Sequence, residues 1–221
     1  MQIEVSKEID TVCPQFIGGA VEATVVNSHY SELLWQEIKQ KEEEFKRLYT
    51  TETIKLIESV DATRKVYRLC GKDPSRYRPS SEALLRRVIT GKSLYQIDTV
   101  VDIVNLASMV SGYSIGAFDK SKFVGDTLTL GIGRAGEPYE GIGRGTVNIE
   151  HLPVYRDAVG GVGTPTSDNE RTKVDLSISH LLVIVNGYDG NLSAVNECCE
   201  YLIKLLSRYA NCTDAKSYNF K

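Results

Sequence analysis

Apolar and polar positions follow two rhythms along this chain, and the rhythm changes near residue 120. Before that point the spacing is helical. Leu34, Ile38, Phe45 and Leu48 recur through SELLWQEIKQKEEEFKRLY, with KEEE as the wet face. A second helical pattern covers roughly residues 52–69 and stops at Gly71, whose missing Cβ suits a helix end. The loop KDPSRYRPSS follows. Ser80 or Ser81 is placed to cap EALLRRVIT, where Leu84, Leu85, Val88 and Ile89 face inward and Arg86 and Arg87 outward. The next helix runs from Asp98 to Val110 and ends at Gly112. Beyond Asp119 the period shortens to two: DTLTLGI, GTVNIE and PVYRD read as half-buried strands, like AVEATVV at 20–26. LLVIV, 181–185, is apolar throughout and predicts a central strand covered on both faces. A last helix, NLSAVNECCEYLIKLLSRY, carries the stripe Leu192, Val195, Cys199, Leu202 and Leu206. The polar tail from Thr213 predicts a loose end. Helices, then strands, then a closing helix make an α+β fold of mixed sheets packed with helices. No linker splits it. The expectation is one domain: an N-terminal strand and helices over 1–63, a core over 64–187, a helix over 188–212 and a tail over 213–221.

Composition narrows the class. The chain has 221 residues, 42% apolar and 25% charged, with a net charge of −3. No stretch has the apolar length of a membrane span, and MQIEVSKEIDTV lacks the pattern of a secretory leader, so a cytoplasmic protein is expected. Five cysteines without a Cys-x-x-Cys pair argue against a metal centre or a disulfide framework. The charge is uneven: residues 64–92 hold nine lysines and arginines against only Asp73 and Glu82. Such a segment can hold a polyanion locally on a mildly acidic protein.

Two motifs are set aside. GIGRAG, 131–136, spells the dinucleotide fingerprint, which works only where a strand turns into a helix; EPYEGIGRG cannot supply that helix. Its glycines suit tight turns, with Arg134 and Arg144 projecting. His29, His151 and His180 have neither metal-ligand nor triad spacing, so any chemistry here proceeds without histidine. The helix VDIVNLASMV is more telling. Asp98, Asp102 and Asn105 form one polar stripe on an otherwise apolar helix. Buried, such groups must be hydrogen-bonded. Either they tie down the YSIGAFD turn, or Asn105 looks into a pocket floored by this helix.

VDIVN followed by SGYSIGAFD resembles the VDITN…GQPLHAFD signature of the B3/4 editing module in the β subunit of bacterial phenylalanyl-tRNA synthetase. It looks closest to free-standing relatives of that module, in which RPSSEALLRRV, GAFD, GE and D-x-x-R-T recur together. GRAGEPYEGIG, DAVGGVGTPTSDNERT and an apolar strand follow in the same order, from about Arg64 to Gly187. The resemblance implies the α+β fold of that module and an enzyme that hydrolyses an ester-linked amino acid from mischarged tRNA. The same pocket could instead serve a module that binds RNA or an amino-acid-like ligand without chemistry.

Carried across position by position, Asn105 falls on a pocket asparagine, and Asp168 or Glu170 on the acid that reads the substrate. These three are the candidate catalytic residues. Gly116, Phe118, Asp119, Arg134, Gly161, Arg171 and Thr172 are the candidate substrate contacts, with the 160–164 segment offering backbone N–H groups. Arg76, Arg78, Arg86 and Arg87 are candidates for RNA phosphates. Val104 stands where the family has threonine and Gly116 where it has histidine, which leaves the amino acid removed open. An aminoacyl ester is reactive enough that a positioned water and a held carbonyl oxygen can suffice without a cofactor. The expected partner is tRNA, through its aminoacylated acceptor end.

Overall fold

The computed structural model describes residues 1–221. Its framework is two four-stranded sheets packed face to face. One has the order β1 (Gln2–Val5), β4 (Thr127–Ile132), β7 (Pro153–Arg156), β8 (Gly161–Gly163). The other has the order β10 (Thr213–Phe220), β2 (Ile17–Thr24), β9 (His180–Gly187), β3 (Ile115–Asp119). A two-residue hairpin, β5 (Glu140–Gly141) and β6 (Gly145–Thr146), stands beside them. The helices are α1 (Lys7–Val12), α2 (Glu32–Leu48), α3 (Glu58–Leu69), α4 (Ser80–Ile89), α5 (Thr99–Ser111) and α6 (Leu192–Tyr209). None is long and apolar enough to cross a membrane.

The two-residue period of the strands sorts the core. On β9, Val183 and Val185 join the helix-side cluster with residues of α2, α4, α5 and α6, whereas Leu182 and Ile184 join the cluster between the sheets. On β3, Ile115 and Ala117 face the helices and Phe118 faces the opposing sheet. Both faces of β9 are therefore covered, as its unbroken apolar sequence predicts. The outer face of the first sheet carries Thr127, Thr129 and Arg156 and lies open beside α1.

Several local expectations change. The tail is not loose: β10 pairs antiparallel with β2, and its Phe220 ring fills the space that a side chain on Gly18 would need. The 52–69 helix is split into a 3-10 turn at Ile54–Leu56 and α3. Neither Ser80 nor Ser81 caps α4; Pro79 precedes it, and the Ser81 hydroxyl lies 3.3 Å from that of Ser114. GTVNIE is a strand only at Gly145–Thr146. Leu48 and Leu192, assigned to apolar stripes, are exposed. At α5 the sequence and the structure agree closely: Asp98 caps the first turn by accepting from Val101 N, and Gly112 ends the last with φ 75°.

Candidate functional site

β3 is an edge strand, and the segment 163–173 folds against that edge. Short bridges pair Gly163 with Asp168, Gly141 with Asn169, and Phe118 with Lys173. This places the Asp168 carboxylate between the two sheets. Its Oδ2 accepts a hydrogen bond from Ala117 N at 3.2 Å. Its Oδ1 would lie 3.2 Å from a methyl group on Gly116 and 3.0 Å from one on Gly163. Glycine at both positions makes room for the carboxylate and for the Phe118 ring, which would come within 2.9 Å of either methyl.

No hydrogen bond reaches Oδ1. The group is packed round by protein yet keeps part of its surface open to solvent. Burial raises its pKa to about 7, opposed only by the Ala117 N–H. Tyr139 closes one side: its hydroxyl donates to Ser167 O at 2.7 Å, and burial together with the Asp168 charge pushes its pKa far up. An enclosed carboxyl that titrates near neutrality, with one unoccupied oxygen, can hold or release a proton during a reaction.

The proposed residues divide around this centre. Gly116, Phe118 and Asp168 come together. Glu170, the alternative acid, is exposed and pairs with Lys173. Asp119 caps a 3-10 turn, accepting from Ser121 N at 3.0 Å and from Ser121 Oγ at 2.6 Å. Arg171 is not free for a ligand: it grips Asp157 with two nitrogens at 2.9 Å each and donates to Lys122 O. Thr172 is buried, its hydroxyl 3.5 Å from Val162 O. Gly161 belongs to β8, where a methyl would meet the Tyr139 ring at 2.8 Å. The 160–164 amides do not form an open anion-binding loop, because Gly160 N donates to Asp157 Oδ1 and Thr164 N to Ser167 O. Arg134 is exposed on the open face of the first sheet, away from this group. A cavity of about 660 Å³, lined by Tyr139, Gly161, Asn169, Glu170 and Arg171 among others, opens next to the segment.

Asn105 is not brought into the group. It sits on α5, which packs on the helix side of the sheet, whereas Asp168 meets β3 at its edge and on the other face. Its side chain makes no hydrogen bond and is partly exposed. The rest of the polar stripe is architectural. Asp102 is buried, accepts from Trp35 Nε1 at 2.7 Å and Ile97 N at 3.0 Å, and has its pKa raised to about 6 by burial.

The basic segment is also divided. Glu82 is fully buried, and three arginines converge on it: Arg64 at 2.7 Å, Arg86 at 2.8 Å and Arg78 at 3.6 Å. Arg64 also holds Pro74 O. Arg86, expected to face out, is thus a partner of a buried acid. Lys72 is buried beneath Tyr77, donates to Asn148 O and Glu150 O, and has its pKa lowered by desolvation. Arg87 lies over the Tyr95 ring at 3.7 Å. Arg76 is exposed and makes no ion pair. Sequence reasoning missed Tyr139, gave Gly163 only as part of the 160–164 segment, and gave Glu82 only as a surface partner of Arg86 four residues on. The glutamate left the clearest trace, as one of only two acids in a segment so rich in arginine.

The B3/4 domain pattern matches residues 62–211, and the chain belongs to that family. No curated protein matches the chain. Among solved structures, an N-terminal fragment of the phenylalanyl-tRNA synthetase beta-subunit from Pyrococcus horikoshii aligns at 14% identity with a TM-score of 0.49. The alignment covers 98% of this chain and 50% of that one, so the chain spans half the length of that fragment.

Proposed function

We propose that this member of the B3/4 family is an aminoacyl-tRNA deacylase, and that Asp168 is its general base. The observation that carries the proposal is the state of that carboxyl: enclosed, partly open to solvent, one oxygen without a partner, and titrating at about 7. In its ionised form Asp168 takes a proton from a water whose oxygen adds to the ester carbonyl carbon. The tetrahedral intermediate then collapses, the ribose oxygen leaves with the proton returned by Asp168, and the free amino acid departs. A carboxyl with a pKa near the working pH suits both halves of that exchange. tRNA is the proposed partner, with exposed Arg76 as its phosphate contact, since Arg86 and, at longer range, Arg78 are drawn to Glu82.

The test is the 221-residue chain itself, incubated with a panel of labelled aminoacyl-tRNAs, correctly and wrongly charged. At least one mischarged species should be hydrolysed, and Asp168→Asn should slow that reaction about 100-fold or more. Binding of charged tRNA without any hydrolysis would replace the deacylase with a binding module.

A further inference from the structure

The open face of the first sheet holds a second cavity, of about 480 Å³, on the side of that sheet away from Asp168. Its floor is the outward row of β4: Thr127, Thr129 and Gly131. Leu128 and Leu130, between them, point into the core.

At Gly131 the missing side chain leaves a point on which three polar atoms converge. A methyl group there would lie 2.9 Å from Arg156 Nη1, 3.6 Å from Ser6 Oγ and 3.7 Å from Glu8 Oε2. Arg156 is anchored through its other nitrogens. Nε and Nη2 each donate to Glu137 at 2.6 Å, and Nη2 also donates to Ile132 O, which leaves Nη1 without a protein partner. The Glu8 carboxylate and the Arg134 guanidinium accept or donate no hydrogen bond either, and both line the cavity. The hydroxyls of Thr127 and Thr129 are likewise unpaired.

We infer that this cavity binds a free α-amino acid with a short polar side chain. A guanidinium edge and a hydroxyl beside a carboxylate, all within reach of one point, match the carboxylate and ammonium of a zwitterion. Charge balance disfavours a bare anion. Arg156 is paired with Glu137 and Asp157 with Arg171, which leaves Arg134 against Glu8 and Asp126, so the lining offers no excess of positive charge. The α-carboxylate meets Arg156 Nη1 and Ser6 Oγ, and the α-ammonium meets Glu8. Strand geometry sets the reach of the side chain. Thr129 is two residues from Gly131, roughly 7 Å along β4, within range of a hydroxyl or amide side chain. Asp126, at the far end of the cavity, is roughly 16 Å away and outside that range. The site is separate from Asp168 and does not depend on the deacylase reading.

The experiment is calorimetric titration with L-serine and L-glutamine. Ethanolamine, which lacks the carboxylate, and N-acetyl-L-serine, which lacks the ammonium, serve as controls. Each control should bind about tenfold more weakly or worse, as expected for loss of one charged hydrogen bond. Glu8→Gln should weaken L-serine binding by about tenfold. So should Gly131→Ala, whose methyl occupies the convergence point and displaces Nη1. Glu8 is exposed on α1 and a methyl on Gly131 points toward the cavity, and an unchanged melting temperature would show that the fold is intact. Asp168→Asn should bind L-serine as the parent does. The inference is overturned if no amino acid binds, if ethanolamine or acetylserine binds as well as L-serine, or if the Glu8 and Gly131 variants bind normally.

Discussion

Glu82 and Asp168 are both carboxyls enclosed by this fold, and their surroundings are opposites. Glu82 is met by three guanidinium groups, two of them within 2.8 Å. Asp168 is met by two glycines, a phenyl ring and one backbone N–H, with no cation at hand. The first arrangement ties α3, α4 and the 74–78 loop together through charge that is fully compensated. The second leaves an acid whose ionised form is poorly served and whose proton is held to about 7. A compensated buried charge builds structure. An uncompensated one that still touches solvent is available for chemistry, the role proposed for Asp168.

The largest expected effects break this comparison from both sides. Asp168→Asn should lower the rate of ester hydrolysis by about 10²–10⁴ while the protein melts at or above the parent temperature, because a costly buried acid is replaced by a neutral amide. Glu82→Ala should do the reverse. Leaving Arg64 buried without its partner costs roughly 3–5 kcal/mol, on the order of ten degrees in Tm at this size. Hydrolysis per folded molecule should change little. Thermal melts and single-turnover assays on the two variants decide it: if Glu82→Ala spares stability, or Asp168→Asn lowers Tm as much as it lowers the rate, the division of roles is wrong.

A pH series sharpens the comparison at smaller amplitude. In the unfolded chain Asp168 and Asp102 give up their protons near 3.8, whereas in the fold they keep them to about 7 and about 6. Between those limits the folded state binds more protons, so the contribution of both groups to stability falls as pH rises from 4 to 7. Above pH 7 that loss is complete. On the proposed mechanism hydrolysis needs ionised Asp168 and should rise over the upper part of the same window. Denaturation midpoints for the parent and for Asp168→Asn from pH 4 to 8 test this. A variant whose midpoint keeps the parent's full pH dependence would remove Asp168 as the titrating group.

Smaller still is the expected contrast within the basic segment. If tRNA binds there, Arg76→Ala should flatten the salt dependence of affinity by about one unit and leave Tm unchanged. Arg86→Ala should lower Tm, because it takes a partner from Glu82, and alter the salt slope less. Equal slopes in both variants would place the polyanion elsewhere on the surface.

What could be read from the sequence follows from how far each signal reaches. The Asp98 and Gly112 caps of α5 and the apolar run of β9 are local and appear in the structure as their spacing implies, and so do most of the 3.6-residue and two-residue periods, with Leu48, Leu192, the split 52–69 helix and GTVNIE as the exceptions. β10 was invisible because TDAKSYNF is an exposed edge strand. Only Ala215, Tyr218 and Phe220 are shielded, and the partner of Phe220 is a glycine about 200 residues earlier in the chain. The same limit applies to the candidate site. Asp168 was one of two acids that the motif could not separate, and only its bridge to Gly163 and the hydrogen bond from Ala117 N of β3 distinguish it from solvent-facing Glu170. Arg86 and Arg171 could each be read as a phosphate contact or as an ion-pair partner: spacing offers Glu82 to Arg86 but not its burial, and gives no sign that Asp157 is the shielded partner of Arg171.

The smallest expected effect concerns Asn105, and it is the sharpest test of where the chemistry lies. Asn105 and Asp102 share one stripe of α5, but Asp102 satisfies Trp35 Nε1 and Ile97 N whereas Asn105 satisfies nothing. Asp102→Ala leaves buried Trp35 Nε1 and the partly shielded Ile97 N unmatched and should cost several kcal/mol. Asn105→Ala removes a partly exposed amide with no partner and should shift stability by about 0.5 kcal/mol or less. With Asp168 as the base, on the far side of the sheet from α5, the same change should slow hydrolysis by less than about tenfold. Both variants need a melt and a rate, since a fall in turnover that tracks the folded fraction says nothing about chemistry. If Asn105→Ala melts normally and still loses activity by two orders of magnitude, the substrate lies on the helix side of the sheet. Asp168 would then be a strained structural acid, and the polar stripe of VDIVN would be the floor of the true site.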